Sequence, residues 1–264
     1  MKIKAHFTAT ELVTATNPIT INVIGAGGTG SKVMTALMEM NHSLLELEHP
    51  GLSVRLWDDD VISHANIGRQ RFAECEIGLH KSVALINRIN RWSGNNWKAE
   101  QIRFERDQSD NLPNFASAMI TISCVDNVKA RFVIADILHQ CCLQSYYHDR
   151  PRYWMDFGNS QYTGQVILST VGEIIQPKSE RYEPVAQLPF VTEEFGELLK
   201  QSEEVDNTPS CSLAEALTKQ DLFINSSLVQ MGCSLLWNLF RNGMIKYRGF
   251  FHNLQNFNTQ GIRI

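Results

Sequence analysis

The sequence predicts an α/β fold: a doubly wound, mostly parallel sheet with a crossover loop and an antiparallel C-terminal extension. Three observations lead there. Apolar strand-like runs alternate with helical periodicity from about residue 19 to residue 170. A glycine-rich turn, Gly25-Ala-Gly-Gly-Thr-Gly-Ser31, joins the first run to the first helix. From Gly172 to Ser210 the alternation breaks into a proline-interrupted, acidic stretch, after which helix and strand patterns return.

The elements follow in order. Thr20–Ile24 reads as a buried strand, and Ser31–Leu47 as a helix with Val33, Leu37, Met40 and Leu44 on one stripe. Pro50-Gly51 punctuates before the strand Leu52–Trp57, completing a β-α-β unit of the Rossmann-like kind. A helix over Lys81–Arg91, strands over Lys98–Phe104 and Ala118–Cys124, and a helix over Val128–Ser145 continue the winding. Tyr153–Phe157 and Gln165–Thr170 are further strands. A helix over Asp221–Asn242 and one or two strands within Lys246–Ile264 close the chain. Residues 1–264 read as a single domain: a nucleotide-binding core at about 19–170, a crossover loop at about 172–210 and a C-terminal part at about 211–264. In the crossover, the acidic run of Glu193, Glu194, Glu197, Glu203, Glu204 and Asp206 reads as a solvated face.

Composition narrows the function. A net charge of −4 lacks the basic face that a nucleic-acid partner requires. The most apolar helical stretch, Leu222–Phe240, is broken by Asn225, Ser226, Ser227, Gln230 and Asn238, so no membrane span is expected. The start, Met1-Lys-Ile-Lys-Ala-His-Phe7, has no apolar signal core, and six scattered cysteines form no C-x-x-C pair. A cytoplasmic enzyme with free thiols and no zinc is the expectation.

Gly25, Gly27 and Gly30 form G-x-G-x-x-G between a strand and a helix. In that context Gly25 allows the tight turn, Gly27 and its neighbour Gly28 the approach of a phosphate, and Gly30 helix–strand packing. Asp58 ends the second strand, where a carboxylate accepts hydrogen bonds from ribose hydroxyls. Asp60, Asn66, Arg69 and Gln70 follow in one loop, then Lys81 at the start of the next helix. Hydride transfer needs no arginine over the phosphates, whereas phosphate displacement needs cations to meet developing charge. Asp126 lies beyond the strand ending at Cys124; it suits Mg²⁺, which takes one or two carboxylates plus phosphates and water, the favoured reading, and a helix N-cap is the alternative or accompanying role.

These blocks, Gly25–Ser31, Asp58-x-Asp60-x₅-Asn66-x-x-Arg69-Gln70, Gly78-x-x-Lys81 and Asp126-Asn-x-x-x-Arg131, resemble the adenylation domain of the ThiF/MoeB/ubiquitin-activating family. Met155-Asp-Phe-Gly158 and Gly164-Gln-Val166 resemble its later strands. The tail from Pro209 through Gln220-Asp-Leu-Phe-Ile-Asn225 is most similar to ThiF-type members of the PRTRC plasmid-associated cassette. The resemblance implies ATP·Mg²⁺, a homodimer, and a ubiquitin-like or sulfur-carrier-like partner protein ending in Gly-Gly whose terminal carboxylate is adenylated. It assigns the ribose to Asp58, phosphates to Arg69 and Lys81, the metal to Asp126, and shaping of the site to Asn66 and Gln70. Cys211 occupies the kind of position where some members carry a nucleophile that takes the acyl group as a thioester. A semi-buried structural thiol is the equal alternative. Two departures stand out. The family's paired C-x-x-C zinc ligands are absent, and no arginine precedes Arg55, so Lys2 or Lys4 substitutes for a partner-subunit arginine or the role is missing. The rival readings are an NAD(P)-dependent oxidoreductase, which shares the glycine turn, and a non-catalytic nucleotide-binding scaffold.

Overall fold

The structure, a computed structural model, describes residues 2–68, 70–144, 150–202 and 220–264. Its strands are β1 (Ile3–Phe7), β2 (Ile19–Ile24), β3 (Leu52–Trp57), β4 (Lys98–Glu100), β5 (Ile120–Ser123), β6 (Tyr153–Asn159), β7 (Thr163–Thr170), β8 (Tyr182–Pro184), β9 (Met244–Ile245), β10 (Tyr247–Asn253) and β11 (Asn258–Arg263). Its helices are α1 (Thr10–Val13), α2 (Gly30–Glu46), α3 (Lys81–Ser93), α4 (Val128–Gln144), α5 (Val191–Glu194), α6 (Gly196–Ser202) and α7 (Ile224–Asn242).

Eight strands form the main sheet in the order β11-β10-β7-β6-β5-β2-β3-β4. The run from β6 to β4 is parallel, and β7, β10 and β11 add antiparallel strands at the other side. The chain leaves β2 toward β3 on one side and returns to β5 on the other. The carboxyl ends of β2 and β5, in register at Ile24 and Ser123, therefore flank the point where the winding reverses. In such sheets that point is the ligand crevice.

Alternation along the buried strands feeds two cores. On one face Ile21, Val23, Ile122, Met155 and Phe157 pack with Leu37 of α2, Leu85 of α3 and Leu228 and Leu236 of α7. On the other, Ile24, Trp57 and Trp154 pack with Ile134 and Leu138 of α4, Phe190, and Leu199 of α6. Helix α3 stops at Gly94 and α7 at Gly243, both left-handed residues that end a helix without steric cost.

Two expectations are amended and one element is new. Strand β4 ends at Glu100, because the chain there leaves the sheet edge and carries Phe104 back against Trp57, ring centroids 5.1 Å apart. The N-terminal residues form β1, which pairs parallel with β8 of the crossover and antiparallel with β9, giving a separate three-stranded sheet. The acidic run is partly anchored: Glu193 accepts the Phe190 N–H at 2.8 Å, and Glu194 pairs with the buried guanidinium of Arg248.

Helix α7 seats against the sheet through Gly232, where a Cβ would fall 2.6 Å from the Phe157 ring. Gly232→Ala is expected to cost about 1–3 kcal/mol by overpacking, measured by denaturant unfolding.

Candidate functional site

Four strand ends converge on a cleft of about 470 Å³. Gly25 follows β2, Asp58 follows β3, Cys124–Asn127 follow β5, and Asn159 ends β6; all of them line it.

The glycine turn is shaped by close approaches. Gly25 has φ +94°, and a Cβ there would fall 2.8 Å from the Cys124 carbonyl oxygen. A Cβ at Gly30 would overlap the Gly25 carbonyl, which fixes helix α2 against the turn. Gly27 differs: a Cβ there would meet no protein atom within 4 Å. It faces open cleft, so a ligand, not packing, is what a side chain would obstruct.

Asp58 reaches back to this turn. Its carboxylate accepts the Ala26 N–H at 2.6 Å and the Asp60 N–H at 3.0 Å. Burial pushes its pKa up; the Ala26 hydrogen bond and the nearby Lys81 charge offset part of that. Lys81 is buried and its Nζ lies 2.6 Å from Oδ2 of the exposed Asp60, while its N–H donates to the Asp60 carbonyl at 3.0 Å. The lysine is thereby delivered to the cleft already paired. Gln70 is buried there too, and its Oε1 has no hydrogen-bond partner among the described residues. A buried amide oxygen without a donor is a cost that a ligand hydroxyl or amine would remove.

Asp126 is exposed in the cleft, and its carboxylate meets the Asn127 amide at 3.3 Å. The N-cap of α4 is Asn127, whose Oδ1 accepts the Ala130 N–H at 2.8 Å, so the capping role falls to the neighbour. Beneath this turn lies a buried ion pair. The Nε of Arg131 sits 3.0 and 3.1 Å from the two oxygens of Asp156. The rest of the guanidinium donates to the carbonyls of Val125 (2.9 Å), Phe157 (3.2 Å) and Asn127 (3.3 Å). Ser123 donates to Asp156 at 2.5 Å and accepts from the Trp154 indole at 2.8 Å. The carbonyls on either side of Asp126 are thus held by one buried side chain.

The lining also includes apolar side chains, Ile24, Trp57, Ile102, Phe104, Val133 and Ile134, a surface suited to a flat heterocycle.

Of the residues singled out from sequence, Gly25, Gly27, Gly28, Asp58, Asp60, Gln70, Lys81 and Asp126 line one cleft. Asn66 does not; its Oδ1 accepts the Ser63 N–H at 2.9 Å, and its carbonyl accepts the Gln70 N–H at 3.0 Å, so it shapes the turn that presents Gln70. Lys2 donates to the Ser179 carbonyl at 3.0 Å, and neither it nor Lys4 lines the cleft. Arg69 and Cys211 lie outside the described residues. Burial raises the pKa of the thiols of Cys141 (to about 11) and Cys233 (to about 12), as suits core positions, and of Cys124, which lines the cleft. Sequence reasoning missed the lining residues Asn159, Gln220 and Asn225, and the apolar Ile102 and Phe104. It also left Asp156 unassigned, although an acid inside an apolar strand is a legible signal.

A family model described as the ThiF family matches residues 5–263. The chain belongs to the ThiF family. No curated protein matches this ThiF-family sequence closely. Among solved structures it is similar to E. coli MccB (13% identity, TM-score 0.60, covering 96% of this chain and 63% of that one). PaaA is comparable, with 14% identity and TM-score 0.58 over 96% of this chain and 65% of that one. A structure of E. coli MccB with ATP gives 14% identity and TM-score 0.54 over 96% and 65%. At such identities the likeness is one of fold, and the ThiF-family chain spans about 65% of the length of these neighbours. Among the described residues no helix is long and apolar enough to cross a membrane, and no group of three or more His, Cys, Asp or Glu side chains is placed to hold a metal.

Two outcomes follow. Asp156→Ala strands the buried Arg131 charge and is expected to cost about 3–5 kcal/mol in denaturant unfolding. Because the folded-state pKa of Asp58 is raised, its contribution to stability is complete below the ordinary value of 3.8 and falls as pH rises through the folded value. Thermal melts should therefore show wild type losing ground to Asp58→Asn as pH climbs from 3.8, levelling once Asp58 is ionised.

Proposed function

We propose that this chain uses ATP to adenylate the C-terminal carboxylate of a ubiquitin-like protein ending in Gly-Gly. The observation that carries the reading is the single cleft joining an open Gly27, the Asp58 carboxylate, the Asp60–Lys81 pair and Asp126. ThiF-family membership supports it, as do neighbours described as MccB with ATP and MccB with MccA.

In this reading the adenine lies on the apolar surface that includes Trp57 and Ile134, and Asp58 and the Gln70 oxygen receive hydroxyl or amine donors of the nucleoside. The phosphates follow the glycine turn toward Lys81 and Arg69. A terminal carboxylate oxygen attacks the α-phosphorus, the α–β bridging bond breaks, and pyrophosphate leaves with the bonding electrons. The product is an acyl-adenylate. Lys81 meets the negative charge that grows on the leaving group, and Asp60 holds its ammonium in place beforehand. Asp126, an exposed carboxylate that makes no ion pair with the cleft's cations among the described residues, fits Mg²⁺, which would supply charge neutralisation at the phosphates. Arg131, by holding the carbonyls around Asp126, fixes where that carboxylate stands. Transfer to Cys211 as a thioester would follow the adenylation, with AMP departing as the sulfur–acyl bond forms. The PRTRC-associated type belongs to the same proposal, supported by the resemblance of the tail from Pro209 through Asn225, as do a homodimeric state, implied by the family resemblance, and a cytoplasmic location, which unpaired thiols suit.

ATP–pyrophosphate exchange tests it. Exchange should depend on a Gly-Gly-ended partner and on Mg²⁺, vanish in Asp126→Ala, and fall by about 10²-fold or more in Lys81→Ala. Cys211→Ala should keep exchange while losing any reductant-sensitive adduct. Exchange that persists in Asp126→Ala contradicts the metal assignment.

A further inference from the structure

We infer that Asn225 is a positioning residue, a clasp that holds the glycine turn in the shape that receives the phosphates; the inference rests on the nucleotide reading above. Asn225 lies in the first turn of α7, is 1% exposed, and lines the cleft. Its Oδ1 accepts from the Thr29 hydroxyl at 2.9 Å and from the Asn159 amide at 2.8 Å. Its Nδ2 donates to Oε1 of Gln220 at 3.0 Å. One buried side chain therefore ties the glycine turn to the end of β6 and to the residues entering α7. Two donors on Oδ1 fix which way the amide points.

Two details of the turn depend on this residue. Thr29 holds the N-cap position of α2 yet makes no side-chain cap bond, because its hydroxyl is committed to Asn225. Within α2 the N–H groups of Ser31, Lys32 and Val33 already donate to the carbonyls of Gly27 and Thr29, so the N–H donors a phosphate would meet are those of the turn before Ser31, the part that Asn225 holds. A Cβ at Gly28 would fall 2.6 Å from Nδ2 of Asn225, whereas one at Gly27 would meet nothing. The adjacent glycines thus serve different ends: Gly27 leaves room for the ligand, and Gly28 leaves room for the clasp. This contact spans 196 residues of sequence, from Thr29 to Asn225. It gives α7 a direct hold on the phosphate-binding turn.

Binding measurements on the full chain separate positioning from mere packing, with MgATP and adenosine as probes. Loss of the clasp should weaken MgATP about tenfold in Asn225→Ala, roughly the worth of one net hydrogen bond, while adenosine, which does not touch the turn, stays within about twofold. Thr29→Val removes the same bond from the turn side and should act alike, which covers the case in which Asn225→Ala fails to fold. Gly28→Ala should also weaken MgATP. In Gly28→Ala/Asn225→Ala the added methyl no longer meets the amide, so the double loss should be smaller than the sum of the single losses. Asn225→Ala and Thr29→Val binding MgATP as wild type does, or losing adenosine as much as MgATP, or strict additivity of the double variant, would overturn the clasp alone. A wild-type chain that binds neither probe defeats the nucleotide reading and the clasp together.

Discussion

The site depends on a buried ion pair. Asp156 stands in the middle of β6 and Arg131 in the second turn of α4, both withdrawn from water. Two such charges are expensive to bury, and their attraction compensates only when the remaining hydrogen-bonding capacity is filled. Here it is filled by Ser123 on the acid and by three backbone carbonyls on the guanidinium. Those carbonyls belong to the chain leaving β5 and to β6, so the pair fixes the course of the backbone around Asp126. Replacing it with apolar side chains would remove the desolvation cost but also the force that holds the Asp126 turn at the sheet's reversal point.

Around that fixed point the cleft divides its labour by chemistry. Its lining combines apolar side chains with a backbone turn, an amide and charged groups. Acids outnumber bases in the lining: Asp58, Asp59, Asp60, Glu105 and Asp126 face Lys81, Arg103 and Lys129 among the described residues. Arg103 is committed to Asp59 at 2.9 Å and Lys81 to Asp60. In the proposed reaction a divalent cation would accompany the polyphosphate into this field, and Asp126 is an exposed acid at the end of β5 that would meet it. The same acidity makes a bare anion a poor ligand here.

The parallel core was legible because each of its parts is local. Strand, glycine turn, helix and acid at the next strand end lie within about 40 residues of one another, and their periodicities need no distant partner. What escaped notice is long-range. β1 and β8 are short strands that exist by pairing Ile3 with Tyr182, and nothing within either segment announces the other. Asn225 read as a polar break in an apolar helix, because its role needs Thr29 and Asn159 beside it. Glu194 read as solvated, because Arg248 lies 54 residues away. Asp156 is the exception: its charge within Tyr153–Asn159, next to the Arg131 of the motif, was visible and left unpaired.

The proposed reaction cuts ATP between its α- and β-phosphates to activate a carboxylate. Intact-mass analysis of Gly-Gly-ended ubiquitin-like proteins after incubation with the chain and MgATP tests it most directly. One of them should gain a single adenylyl group, with pyrophosphate released in equal amount. Tight binding of NAD(P) with no response to ATP and no adenylated species would contradict it.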